Sequence, residues 1–234
     1  MARQLTLTFE TPRRLGLAEF AVGEANRAAV EAIVHWPHWP SPVMLLVGEE
    51  ASGKSNLAAI LAAASGSPVL SAATVDWHRL AADHAGETLI VEDLGEGIDE
   101  AGLFHAINAV TAGGGRLLLT SRTPPADWRL MLADLASRLR AATPVTIGAP
   151  DDRLMEELLG KLFVDRQTVV DPQVIRFIAQ RIERTFVAAR ATVERLDSVA
   201  LARKAAITKP FASEVLFGDS SGEPLLPGID PPEQ

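Results

Sequence analysis

The stretch Val43-Met44-Leu45-Leu46-Val47-Gly48-Glu49-Glu50-Ala51-Ser52-Gly53-Lys54-Ser55 decides how the chain is read. It opens with an unbroken apolar run of strand length, and from Gly48 to Ser55 it fits the pattern G-x4-G-K-[ST] at every defined position. A helical segment rich in Ala and Leu follows at once, from Lys54 to about Ala64. Strand, glycine-bounded loop and helix is the order that phosphate binding requires. Gly48 and Gly53 let the backbone curl so that several N–H groups face one anion. Lys54 reaches terminal phosphates, Ser55 can ligate Mg²⁺, and the helix N-terminus adds its dipole. The nucleotide contacts expected on this loop are Gly48, Ala51, Ser52, Gly53, Lys54, Ser55 and Asn56. The bland alternative is a tight strand-to-helix turn with a chance lysine, and the agreement of pattern with context weighs against it.

Working outward, three more short apolar runs follow: Val69 to Ser71, Thr88 to Val91 and Arg116 to Thr120, with a last strand at Val145 to Ile147. Helix-like segments separate them, and unalternating strands interleaved with helices predict an α/β fold with a parallel sheet buried on both faces. Upstream, Glu24 to Val34 places Ala28, Ala29, Ala32 and Ile33 on one helical face, until Pro37, Pro40 and Pro42 break the pattern. Beyond Pro150 the strands stop. Asp152 to Phe163, Pro172 to Arg184, Phe186 to Leu201 and Pro210 to Leu216 read as helices. The expected organisation is an extended arm at 1–12, an α/β nucleotide-binding domain at 13–150, a small helical lid at 151–217 and a disordered tail at 218–234.

Composition bounds the chemistry. The 234 residues are 47% apolar and include no cysteine, which excludes disulfides, thiolate zinc sites, iron–sulfur ligation and a cysteine nucleophile. A formal charge of -8 argues against tight sequence-independent binding to nucleic acid, which depends on Lys and Arg displacing phosphate counterions. No window approaches the roughly 20 apolar residues of a membrane-spanning helix, and Met1 to Phe9 lacks a signal-peptide core. A soluble, cytoplasmic protein without a membrane partner is expected.

Further candidates lie downstream of the loop. Leu89-Ile90-Val91-Glu92-Asp93 ends a strand in two acids, with Glu92 expected on the metal side, as a ligand along with Ser55, and Asp93 on the water side. The commoner order is Asp then Glu, so one acid is a methylene too long and the other a methylene too short. Intrinsic hydrolysis is therefore expected to be slow or absent, and an acidic strand end without catalytic duty is the alternative. Thr120, at the end of the next strand, offers a hydroxyl to a γ-phosphate or to attacking water. Arg138 sits on a helix rich in Leu and Ala, where spacing alone favours an ordinary solvated charge.

Together these segments resemble the DnaA family of AAA+ proteins, over a span from about Gln4 to Leu216. Phe20-Ala21-Val22-Gly23-Glu24-Ala25-Asn26-Arg27 looks like the family's F-x-V-G-x-x-N-R segment, which implies that Val22 lies beside the adenine. Leu119-Thr120-Ser121-Arg122-Thr123-Pro124-Pro125 resembles its sensor strand. Leu135 to Leu139 resembles the segment whose arginine, here Arg138, is the finger offered to a neighbour's ATP. Leu196 to Leu216 is similar to the close of the lid. Counting back from there reaches Thr192, with Arg190 two residues earlier as the candidate lid arginine.

Initiators of this family continue into a helix-turn-helix domain, whereas a polar tail follows Leu216 here, so the resemblance is to the short members that inactivate the initiator. The arm Gln4-Leu5-Thr6-Leu7-Thr8-Phe9 resembles the Q-L-x-L-x-[FL] peptide that docks on the β sliding clamp. In that reading Gln4 supplies hydrogen bonds while Leu5, Leu7 and Phe9 fill apolar pockets; an N-terminal edge strand is the alternative. The resemblance implies ADP or ATP with Mg²⁺ as cofactors. It implies DnaA and the β sliding clamp of DNA polymerase III as partners, DNA reached only through the clamp, and a homodimer as a further assembly. The implied role is negative regulation of replication initiation, with Arg138 stimulating hydrolysis of DnaA-bound ATP. Two other readings stay open: a self-sufficient ATPase of the helicase-loader type, and a non-hydrolysing AAA+ adaptor that recruits a partner to DNA.

Overall fold

The computed structural model describes residue 16, residues 20–83 and residues 86–218. The expected clamp-binding residues Gln4, Leu5, Leu7 and Phe9 lie outside the described residues, as does the expected tail beyond Gly218.

The α/β reading holds. Five parallel strands, β1 (Val43–Gly48), β2 (Val69–Ser71), β3 (Thr88–Leu94), β4 (Arg116–Ser121) and β5 (Thr143–Ile147), form one sheet in the order β2-β3-β4-β1-β5. The helices α1 (Glu24–Val34), α2 (Lys54–Ser65), α3 (Trp77–Asp83), α4 (Glu100–Ala112) and α5 (Ala133–Ala141) flank it. Strand β1 lies between β4 and β5, in register from Val43 opposite Leu117 to Val47 opposite Ser121. The loop that leaves β1 therefore opens beside the ends of β4 and β3.

Successive side chains of a strand point to opposite faces, and the apolar runs of β1, β3 and β4 use both. Leu45, Leu89, Val91, Leu117 and Leu119 pack with Leu103 and Ile107 of α4 and Leu135 and Leu139 of α5. Met44, Leu46, Ile90 and Leu118 pack on the other side, with Ala29 and Ile33 of α1 and Leu57 and Leu61 of α2.

Burial on both faces is confined to the three inner strands. Strand β2 leaves Val69 and Ser71 exposed, and β5 leaves Pro144 and Thr146 exposed, because each is an edge with a single strand neighbour. Pro144 can occupy β5 because an edge strand has a backbone position that needs no donor.

The later helices, α6 (Asp152–Asp165), α7 (Pro172–Ala179), α8 (Phe186–Arg203) and α9 (Lys209–Phe217), surround a core that includes Leu159, Phe163, Ile178, Val193, Leu196 and Leu216. Leu154 of α6 and Phe186 of α8 instead join the cluster beneath α1 and α2, which seats this group against the sheet layer. The helix expected through Arg184 stops at Ala179. Ile182 turns inward to be buried, and the Thr185 hydroxyl accepts a hydrogen bond from the Ala188 N–H to start α8. A capping side chain and a buried Ile thus outweigh helical periodicity in this segment.

Leu118, fully buried on a central strand, sets the first expectation. Leu118→Ala should cost about 2–5 kcal/mol through lost burial and a residual cavity. Val169→Ala, at a residue 97% exposed, should stay within about 0.5 kcal/mol. Urea denaturation midpoints compare the two.

Candidate functional site

The turn from β1 into α2 is shaped by its small residues. Gly53 has φ +95 and Ala51 φ +61, so the loop curls through left-handed backbone twice. A Cβ on Gly48 would come within 2.7 Å of the Ser52 hydroxyl oxygen, and one on Gly53 within 3.0 Å of the Phe20 ring. Helix α2 begins at Lys54 with no side-chain cap, which leaves its first N–H groups to an outside acceptor.

A cleft of about 320 Å³ opens over this turn. Residues 50–56 line it, together with Asp93 from β3, Arg122 just past β4 and Arg190 from α8. Three cationic side chains and an uncapped helix N-terminus are the chemistry that holds phosphate.

Lys54 is buried, and its ammonium donates to the carbonyl oxygens of Gly48 (2.8 Å) and Glu49 (2.7 Å). Burial is the main influence lowering its pKa; Asp93, Glu92 and Glu50 oppose that while Arg122 adds to it. Glu92 is half-buried and its pKa is raised, first by burial and also by Asp93, against a hydrogen bond with Ser55 and the charge of Lys54. One carboxylate oxygen of Glu92, Oε1, has no hydrogen-bond partner among the described residues. A hydroxyl beside a carboxylate with a spare oxygen fits Mg²⁺, which takes few protein ligands and keeps water and phosphate oxygens. No group of three or more His, Cys, Asp or Glu among the described residues could hold a metal by itself.

The acidic pair does not end β3 as expected. The strand runs on to Leu94, and between Val91 and Leu94 it carries one residue more than β4 opposite. This bulge puts Asp93 at φ +61 and turns it into the cleft, while its N–H donates to the Thr120 hydroxyl at 3.1 Å. Thr120 is fully buried behind the wall and does not line the cleft; in this arrangement it fixes the backbone of Asp93.

The remaining sequence candidates separate clearly. Arg190 lines the cleft, whereas Thr192 is fully buried. Two residues along a helix amount to about 200° of rotation, so the two side chains face opposite ways. Val22 is 38% exposed and outside the cleft lining. Arg138 is exposed on α5, between the buried Leu135 and Leu139, and also outside the cleft. Among the described residues its side chain has no ion pair or hydrogen bond.

Two further features join the site residues named from the sequence. Arg122 joins the cleft wall and pairs with Glu50 at 2.9 Å. Asn26 is buried and clamps the start of α1, accepting from the Gly23 N–H and donating to the Ala21 carbonyl, both at 2.8 Å. An arginine just past a strand gives no local signal. Asn26 did have one, its offset of three residues from a helix start.

Known proteins agree with this architecture. In solved structures, domain III of the Thermotoga maritima replication initiation protein DnaA superposes with a TM-score of 0.71 at 15% identity, covering 89% of this chain and 98% of that one. The chain has a DnaA-like AAA+ fold. AMPPCP-bound DnaA from Aquifex aeolicus gives a TM-score of 0.64 at 18% identity, over 84% of this chain and 69% of that one. A mutant of Thermotoga maritima RuvB gives 0.62 at 19%, over 86% and 72%. In sequence, the chain is 30% identical over 100 residues to the chromosomal replication initiator protein DnaA of Porphyromonas gingivalis, in each of two strains. That match covers 41% of this chain and 21% of the initiator, so it spans about a fifth of those relatives. No protein-family model matches. Among the described residues no helix is long and apolar enough to cross a membrane.

The raised Glu92 pKa has a testable sign. Between 4.5 and its folded value the folded chain binds more protons than the unfolded one, so stability falls as pH rises through that window. In EDTA, Glu92→Gln should raise the melting temperature at neutral pH, by about 2–4 °C per kcal/mol of penalty removed. The gain should vanish below 4.5, where the wild-type carboxyl is protonated in both states. Calorimetric scans across pH check it.

Proposed function

We propose that this chain is a cytoplasmic negative regulator of replication initiation of the Hda type, a nucleotide-bound AAA+ protein that completes the active site of DnaA. In this reading residues 13–150 hold the nucleotide, 151–217 cover it as a lid, and the arm at 1–12 carries Gln4, Leu5, Leu7 and Phe9 to the β sliding clamp. The tail at 218–234 has no assigned part.

The observation that carries the proposal is the state of Arg138. Its helix is fixed by Leu135 and Leu139 in the core, its guanidinium faces solvent without a carboxylate partner among the described residues, and it stands outside the chain's own cleft. A guanidinium so placed can serve a phosphate held by another protein. Positive charge against a transferring γ-phosphoryl is worth roughly 10³ to 10⁵ in rate.

Within its own cleft the chain holds ADP or ATP. Backbone N–H groups of residues 51–56 and the Lys54 ammonium take the phosphates once Lys54 leaves the Gly48 and Glu49 carbonyls. Arg190 reaches in from α8, while Ser55 and Glu92 hold the metal. Mg²⁺, when bound, neutralises phosphate charge. Weak hydrolysis by the chain itself is supported by Asp93, whose backbone the bulge and Thr120 hold in place.

The test follows ATP bound to DnaA, with and without DNA-loaded clamp. Wild type should accelerate its hydrolysis only with loaded clamp. Arg138→Ala should lose that acceleration by roughly 10³ or more, with retained affinity for ADP measured by calorimetry. Deletion of residues 1–10 should lose the clamp dependence. Equal behaviour of all three proteins would refute the proposal, and brisk turnover by the chain alone, removed by Lys54→Ala, would favour a helicase-loader-type ATPase.

A further inference from the structure

Arg122 and Glu50 form an ion pair across the mouth of the cleft, linking the loop after β4 to the phosphate loop at 2.9 Å. Both line the cleft. Their side chains are 64% and 55% exposed, and a pair so open to water contributes little by itself. It is easily exchanged for a stronger partner.

The backbone beneath Arg122 is well held. Ser121 is fully buried, its backbone pairs with Val47 of β1, and its hydroxyl donates to the Thr123 carbonyl at 2.8 Å. The Trp128 ring N–H donates to the Thr123 hydroxyl at 3.1 Å, which braces the rest of the turn. Arg122 thus projects from a fixed point at the end of a central strand. It is also the cation whose charge acts on Lys54. Two like charges brought to one part of a cleft, with a single carboxylate paired to the outer one among the described residues, leave room for a better anion between them.

We infer that Arg122 is a ligand for the terminal phosphate of a bound nucleoside triphosphate, and that Glu50 occupies it until that phosphate arrives. The inference rests on the reading that this cleft takes a nucleotide. A phosphate offers a guanidinium two parallel charge-assisted hydrogen bonds, where Glu50 makes one close contact, so the exchange favours the phosphate. The freed Glu50 carboxylate then faces phosphate oxygens and opposes binding. Arg122 therefore makes affinity depend on the last phosphate, and Glu50 weakens it.

Calorimetric titration of ATP and of ADP into the full chain, with Mg²⁺, tests this. Arg122→Gln should weaken ATP about tenfold and ADP far less, since each tenfold step is about 1.4 kcal/mol of binding. Arg122→Lys should fall between, keeping charge but losing the fork. Glu50→Gln should tighten ATP about 3- to 10-fold, a gain that shrinks with added salt. In the Arg122→Gln background the Glu50→Gln gain should shrink as well, because the two side chains share one exchange. Both positions are exposed, and unchanged melting curves verify that each variant is folded. Equal loss of ATP and ADP in Arg122→Gln, no loss, or fully additive effects would overturn the inference while leaving nucleotide binding intact. A wild-type chain that binds neither nucleotide, with Lys54→Ala indistinguishable from it, would remove the nucleotide reading and this inference with it.

Discussion

Everything at the cleft depends on a turn in which backbone, rather than side chains, must face the ligand. Gly53 enters α2 in a left-handed conformation without a side-chain cap, and Gly48 leaves β1 where the Ser52 hydroxyl would crowd any Cβ. The helix therefore starts without a side-chain cap among the described residues. Lys54 is tied to two carbonyls of the same turn, so its charge is satisfied by dipoles that a phosphate can replace. A turn of this kind is useful only if β1 and α2 are rigid. The buried rows of β1 and the packing of Leu57 and Leu61 beneath it provide that rigidity.

Charge around the turn is balanced rather than simply positive. Lys54, Arg122 and Arg190 line the cleft with Glu50 and Asp93, and Glu92 lies half-buried beside Ser55. Without a phosphate, the acids hold the cations at low cost. The same cleft thus brings cations and carboxylates into one lining. Arg138 follows a different logic, because Leu135 and Leu139 turn it away from the interior and from the chain's own cleft.

The β3 bulge shows how tertiary pairing changes the meaning of a motif. Glu92 and Asp93 are adjacent in sequence, and the one residue that β3 carries in excess of β4 falls at this pair. Asp93 reaches the cleft while Glu92 stays half-buried with an oxygen unpaired among the described residues. Thr120, expected at the phosphates, is instead the acceptor that holds the bulge.

Local chemistry alone determined a good part of this protein. Unalternating apolar runs located the inner strands, Gly48 and Gly53 with Lys54 and Ser55 marked the phosphate turn, and Pro37, Pro40 and Pro42 ended α1, because each is decided by neighbours within a few residues. Tertiary structure decided the rest. Strand order made β2 and β5 edges, the bulge carried Asp93 into left-handed backbone, and the capping of α8 by Thr185 together with burial of Ile182 cut α7 short. Only the packed fold brought Arg122 and Arg190 to residues 50–56 and turned Thr192 away. Those outcomes depend on which distant surfaces meet, and residue spacing along a chain carries no record of that.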